Sequence, residues 1–231
     1  MIRFDIISAV PSLLDGPLNH SIVKRAIDKN LVEIHVHDLR DYTEDKHRKI
    51  DDYPYGGDPG MVLTPQPIFS CIEHLTSQRS YDELIFTAAD GEIFDQKAAN
   101  VLSLKKNILI LCGHYKGVDQ RVRDELITKE FTIGDYVLSG GELPAMVITD
   151  AVVRLLPGAI GDAGSALNDS FQDGLLEAPV FTRPAEFKGI GVPEVLRSGD
   201  PKKIEAWQQD QSLKRTKERR KDLYENYKKE Y

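Results

Sequence analysis

Cysteine is scarce: Cys71 and Cys112 are the only two in 231 residues. Their spacing is neither that of a metal-ligand pair nor that of a disulfide framework, and Cys112 closes a strongly apolar run. Both are expected as reduced core residues. No apolar stretch approaches the roughly 18 residues of a membrane-spanning helix. The first residues, Met1 to Ile7, run directly into an apolar strand, and a cytoplasmic protein is expected. Internal repeats, coiled-coil heptads and low-complexity tracts are also missing. Basic residues are absent where a phosphate site would want them, since no Lys or Arg lies between Lys129 and Arg154. That removes a loop of the GxxxxGK[ST] type, and no GxGxxG follows a strand there.

What is present describes a globular protein: 41% hydrophobic and 29% charged residues with a net charge of −7. The charge is uneven. Residues 202–231 hold ten Lys and Arg against six Asp and Glu, a net of +4, leaving twenty against thirty-one, or −11, for residues 1–201. An acidic body with a basic tail segment can hold a polyanion along one side, or simply present a solvated helix face. The pattern begins β-α-β, with strands at Arg3 to Ala9 and Val32 to His37 and a helix from Ser21 to Ile27. Tyr53 to Met61 carries three Gly and two Pro and reads as a long loop. A helix at Pro67 to Leu75, a strand at Glu83 to Ala88, a turn at Asp90-Gly91 and a helix at Asp95 to Leu104 follow. The apolar run Ile108 to Cys112 is a strand covered on both faces. Further on come a helix at Asp119 to Ile127, a strand at Phe131 to Ile133 and a helix at Pro144 to Leu156. This alternation is that of an α/β fold. After Pro157-Gly158 the chain turns small and polar, as a linker does. A turn at 189 to 193 and helices at Pro201 to Gln209 and Gln211 to Tyr227 form a small second part. The expected division is 1–160, a linker at 161–172, and 173–231.

Ile133 to Pro144 stands out. Gly134, Gly140 and Gly141 let a backbone approach a ligand closely or take positive φ, and Pro144 suits the first turn of a helix. With Asp135 and Glu142 as its only charges, the loop would suit a neutral or cationic ligand. Taken by itself it reads first as a tight turn from strand to helix.

Several strings occur in a fixed order: Asp51-Asp52-Tyr53-Pro54-Tyr55-Gly56-Gly57, Cys112-Gly113-His114-Tyr115, Ile133 to Leu143, Asp169-Ser170-Phe171, Phe181-Thr182-Arg183-Pro184 and Val192-Pro193-Glu194-Val195-Leu196. Together they resemble the TrmD family of bacterial tRNA (guanine-N1)-methyltransferases, in the SPOUT superfamily. The resemblance implies a SPOUT-type parallel sheet with a trefoil knot, S-adenosyl-L-methionine held by the knot loops, a small helical tRNA-binding domain, and a homodimer with active sites at the subunit interface. It implies methyl transfer to N1 of the guanosine immediately 3′ of the anticodon. By matching positions, the cofactor set is Gly113, Ile133, Gly134, Asp135, Tyr136, Val137, Leu138, Gly140, Gly141 and Pro144.

N1 of guanine carries a proton at neutral pH, so its methylation calls for a general base, and Asp169 occupies the family's base position. Spacing alone favours Asp169 or Ser170 as the N-cap of a following helix, and the resemblance reverses that preference. Losing the N1 proton puts charge on guanine O6, and Arg154 matches the arginine that stabilises it. Its alternative is an i,i+4 pair with Asp150, worth about 0.3–0.5 kcal/mol. Lys214, Arg215, Lys217, Arg219, Arg220 and Lys221 would grip tRNA phosphates. Two positions depart from the family pattern: Lys116 stands where Glu is common, and Ala89 where Pro often precedes Gly91. The first reverses a charge near the cofactor site and bears on the Mg2+ that the resemblance implies; no metal-ligand set is assigned. The competing readings are a SPOUT enzyme acting on another RNA position and a non-catalytic tRNA-binding module.

Overall fold

The computed structural model describes residues 1–161 and 169–230, so the expected linker falls largely outside the described residues. The chain divides into two compact units, Met1–Asp162 and Ala163–Tyr231.

In the first unit, β1 (Ile2–Ser8) leads through α1 (Asp15–Leu18) and α2 (Ser21–Asp28) to β2 (Val32–Asp38). The two-residue strands β3 (Asp51–Asp52) and β4 (Val62–Leu63) pair antiparallel and bracket the Gly- and Pro-rich loop. Strict alternation follows: α3 (Pro65–Gln78), β5 (Glu83–Ile93), α4 (Gln96–Ser103), β6 (Asn107–Cys112), α5 (Gln120–Leu126), β7 (Lys129–Thr132) and α6 (Glu142–Val153). The five long strands form one sheet in the order β2-β1-β6-β5-β7, parallel throughout.

Both faces of the sheet are covered, which is why β6 is apolar at every position from Ile108 to Cys112. Phe4, Ile6, Ile108 and Ile110 pack with residues of α2, α4 and α6. Ile7, Leu109 and Leu111 pack on the other side with α3 and α5. Burying each such side chain is worth about 1.5–3 kcal/mol relative to exposure. Helix starts are set by caps: the Asp95 carboxylate accepts from Ala98 N at 2.8 Å and that of Asp119 from Arg121 N at 3.0 Å.

The one acidic residue within β1 is fully buried. Asp5 accepts from Arg3 Nε at 2.7 Å and Nη2 at 2.9 Å and from the Tyr81 hydroxyl at 2.8 Å, and lies 2.7 Å from His37 Nε2. Burial alone would raise its pKa, but these hydrogen bonds outweigh it and hold the carboxyl well below the usual range. Cys71 and Cys112 are both free and buried; burial pushes the Cys71 thiol up to about 12.

Three local expectations are corrected. Asp90-Gly91 is no turn but part of an eleven-residue β5. Thr87 and Glu92 both register with Phe131, so residues 88–91 bulge out and the strand then resumes. A Cβ on Gly91 would lie 2.7 Å from the Glu130 carbonyl carbon, so glycine permits the return to β7. In the second unit, the expected turn at 189 to 193 is a hairpin of β8 (Glu186–Phe187) and β9 (Ile190–Gly191). Lys188 and Gly189 make its two-residue turn at φ 51° and 76°. The final helices are α7 (Pro201–Arg219) and α8 (Lys221–Glu230), breaking at Arg220 instead of near Asp210. Nothing in Gln209-Asp210-Gln211 stops a helix, and Asp210 pairs with Lys214 one turn on at 2.6 Å.

A candidate ligand cleft at the carboxyl edge of the sheet

Strands β6 and β7 flank β5, so the chain leaving β6 must pass across β5 before β7 begins. The carboxyl ends of these three strands surround a cleft of about 250 Å³, the place where open parallel sheets hold ligands. It is lined by residues 86–90 of β5 and its bulge, 113–118 after β6, 131–134 and 136–141 around β7 and its loop, and by Arg123 and Pro144. Gly113, Ile133, Gly134, Tyr136, Val137, Leu138, Gly140, Gly141 and Pro144 therefore stand together, and Asp135 does not line the cleft. The bulge, Tyr115, Lys116 and Arg123 were not singled out as ligand contacts from the sequence. The small residues Ala88-Ala89 directly after an apolar strand were the available signal.

The loop is pinned hard. Gly141 N donates to Gly113 O at 2.6 Å, and His114 forms an antiparallel bridge with Gly140. Thr87 Oγ1 lies 3.3 Å from both Leu111 O and Gly141 O. A Cβ on Gly141 would fall 2.0 Å from Thr87 Oγ1 and 2.6 Å from Gly113 N, so this crossing requires glycine. Tyr115, at φ 58°, adds a strained non-glycine residue to the rim.

The charges correct one inference from the loop's composition. Neither Asp135 nor Glu142 is among the lining residues, and the Glu142 carboxylate is buried against Ser8 Oγ at 2.7 Å. The acidic residue on the cleft is Asp90, which pairs with Arg123 at 2.8 Å. Arg123 also bonds Glu130 through Nε at 2.8 Å and lies over the Phe86 ring at 5.5 Å. The Glu130 hydrogen bond, with Asp90 adding, raises the Arg123 pKa, and Arg123 holds the Asp90 carboxyl below its ordinary value. Lys116 Nζ sits 3.6 Å from Asp58. Both cations on the cleft face carboxylates.

Arg154 is the C-cap residue of α6, its backbone N donating to Asp150 O at 3.1 Å, and it does not line the cleft. Asp169 belongs to the second unit. No helix follows it: residues 169–174 form turns, with Gln172 N directed at Asp169 O and Ser170 Oγ accepting from Glu177 N at 2.9 Å, so the capping alternative is removed. Among the described residues, no cluster of three His, Cys, Asp or Glu stands ready for a metal ion. No described helix is long and apolar enough to cross a membrane. Within the basic tail, Lys214 pairs with Asp210 and Arg220 with Asp222, both at 2.6 Å.

Fold and cleft together define an α/β protein with a small cleft at the carboxyl edge of a parallel sheet. Residues 2–226 match the family described as tRNA (Guanine-1)-methyltransferase TrmD, and the chain belongs to that family. A relative from Bacteroides fragilis, called tRNA (guanine-N(1)-)-methyltransferase, is 60% identical over 224 residues, covering 97% of this chain and all of the relative. Relatives of the same name from Flavobacterium johnsoniae and Cytophaga hutchinsonii are 59% and 57% identical, covering 97% and 99% of this chain and 100% and 97% of their own.

Proposed function

We propose that this chain is a tRNA methyltransferase that moves a methyl group from S-adenosyl-L-methionine to N1 of the guanosine immediately 3′ of the anticodon, position 37 of the tRNA. The observation that carries the reading is the glycine-floored cleft, set in a chain that matches the family from residue 2 to residue 226. The cleft suits the adenosyl group: Gly140 and Gly141 let the loop close tightly against Gly113 and His114 to form its floor, and Phe86, Leu138 and Pro144 offer apolar surface. Bound there, the donor supplies an electrophilic methyl on a sulfonium, which needs no phosphate-binding cations.

The acceptor chemistry falls to residues off the cleft lining. The Asp169 carboxylate takes the N1 proton as the new N–C bond forms, and the Arg154 guanidinium stabilises the charge on guanine O6. S-adenosylhomocysteine leaves. The Mg2+ implied by the resemblance is assigned no step, since no ready ligand cluster stands among the described residues and Lys116 brings positive charge to the rim. Residues 1–160 act as the catalytic domain, 161–172 as a linker bearing the base, and 173–231 as the tRNA-binding domain. The passage of residues 133–141 back across β5, pinned at Gly113, supports the trefoil knot. Leu143 and Val147, exposed at 54% and 46% on α6, support an apolar face for a homodimer with shared active sites. A cytoplasmic location accords with a tRNA substrate.

Labelled S-adenosyl-L-methionine tests the proposal with tRNA transcripts that carry G or A immediately 3′ of the anticodon. Label is expected on N1 of the G transcript only; equal transfer to both, or to ribose, overturns it. With Asp169→Asn, turnover is expected to fall about 10²- to 10⁴-fold with tRNA affinity kept. Unchanged turnover would point to a relative that methylates a group needing no base.

A further inference from the structure

Glu142 opens α6, yet its carboxylate is turned inward and is 1% exposed. Oε1 accepts from Ser8 Oγ at 2.7 Å, and Ser8 Oγ itself accepts from Val10 N at 2.9 Å. Oε2 has no hydrogen-bond partner, and the nearest ring nitrogen, His114 Nδ1 at 3.8 Å, has none either. Both atoms converge on the bare Cα of Gly140: a Cβ there would lie 2.4 Å from Oε2 and 2.6 Å from Nδ1. Gly140 and His114 are bridged through their backbones, and both line the cleft.

A buried carboxylate oxygen without a donor is costly, and so is a buried ring nitrogen without a partner. A shift of about 1 Å brings the pair to hydrogen-bond length and satisfies both. We propose that Glu142 is a positioning residue for the methyl-donor cleft: its Oε2 takes the Nδ1–H of His114, fixing that tautomer and leaving Nε2 as an acceptor for an amino or hydroxyl group of the bound donor. The orienting of one ring nitrogen by a carboxylate on the other is a general device for making imidazole act in a defined direction. The inference rests on the reading of the cleft as the S-adenosyl-L-methionine site. It gives Glu142 a part in binding although its carboxylate never reaches the ligand.

The test combines nitrogen NMR and calorimetry on the full chain. With ¹⁵N-labelled histidine, and the His114 signals assigned by their loss in His114→Asn, the wild-type ring is expected as the Nδ1–H tautomer. An Nε2–H or doubly protonated ring overturns the proposal without any Glu142 variant. In Glu142→Gln the amide oxygen can still accept from Ser8 while its NH2 faces Nδ1. The tautomer is then expected to invert and S-adenosyl-L-methionine to bind about tenfold more weakly, the scale of one hydrogen bond. An inverted ring with unchanged affinity, or an uninverted ring in a folded variant, overturns it as well. Failure of the wild-type protein to bind the donor at all would instead strike the functional reading, while the tautomer would still report on the pair.

Discussion

The two units are built on opposite principles. Every buried apolar side chain among the described residues except Leu175 belongs to the first unit, where a sheet covered on both faces holds Phe4, Ile6, Ile108 and Leu109 out of water. In the second unit the described buried residues are Leu175 and Thr216 alone. Its 19-residue helix α7 is polar on most faces, and its ring contact between Phe181 and Trp207 has centroids 6.4 Å apart. The difference teaches where strain can be kept. A rigid core can impose the tight Gly113–Gly141 crossing and the positive φ of Tyr115, whereas a nearly coreless unit holds its shape through individual polar contacts and opens at low cost.

The largest effect expected from that contrast is at Asp5. Asp5→Ala leaves the partly buried Arg3 and His37 without their shared carboxylate and should cost about 3 kcal/mol, the low end for breaking a buried ion pair because both partners keep some contact with water, read as a lower thermal midpoint for the first unit. The folded-state pKa of Asp5 is depressed, so its contribution is present above about pH 4, the unfolded carboxylate value, and is lost as pH falls below that. The gap between wild type and variant should therefore shrink below pH 4 or so. A loss under 1 kcal/mol at neutral pH would mean that the first unit's core does not depend on this cluster.

Next in size is Gly141→Ala. The added methyl would sit 2.0 Å from Thr87 Oγ1 and 2.6 Å from a backbone nitrogen, in a place the core keeps from relaxing. Affinity for the methyl donor is expected to drop about 100-fold, equivalent to about 2.7 kcal/mol. Gly16→Ala is the matched control, since nothing lies within 4 Å of its Cβ position. Calorimetry that finds the two variants alike would show the crossing to be compliant and would erase the distinction between the units.

Much of this was legible in the residues. A continuous apolar run at Ile108 to Cys112 can be satisfied only between two layers, and alternation with helical spacing gave the α/β order. Side-chain direction was not legible, and that is where reading failed. Asp135 and Glu142 counted as loop charges, but a sequence does not say that Glu142 turns back toward Ser8, or that Asp90 reaches the cleft from a bulge. Periodicity also cannot see a bulge: Asp90-Gly91 has turn composition, yet pairing with β7 resumes at Glu92. By spacing Asp169 reads first as a helix cap, because spacing carries no knowledge of whether a helix follows.

The smallest predicted effect probes the second unit on its own terms. Thr216 Oγ1 accepts from Leu176 N at 2.9 Å and donates to Ser212 O at 2.8 Å, while Ser212 Oγ donates to Leu176 O at 2.6 Å. Two hydroxyls on one helix thus fasten a loop backbone that has little apolar packing to hold it. Thr216→Val keeps the volume but strands the Leu176 N–H, at a cost of about 1–2 kcal/mol. Hydrogen exchange at the Leu176 amide should quicken and tRNA affinity weaken, with affinity for the methyl donor unchanged because that site rests on the first unit's core. If donor affinity falls in step, the units are not independent and the contrast between them fails. If exchange at Leu176 does not change, the second unit is held by something other than these hydroxyls.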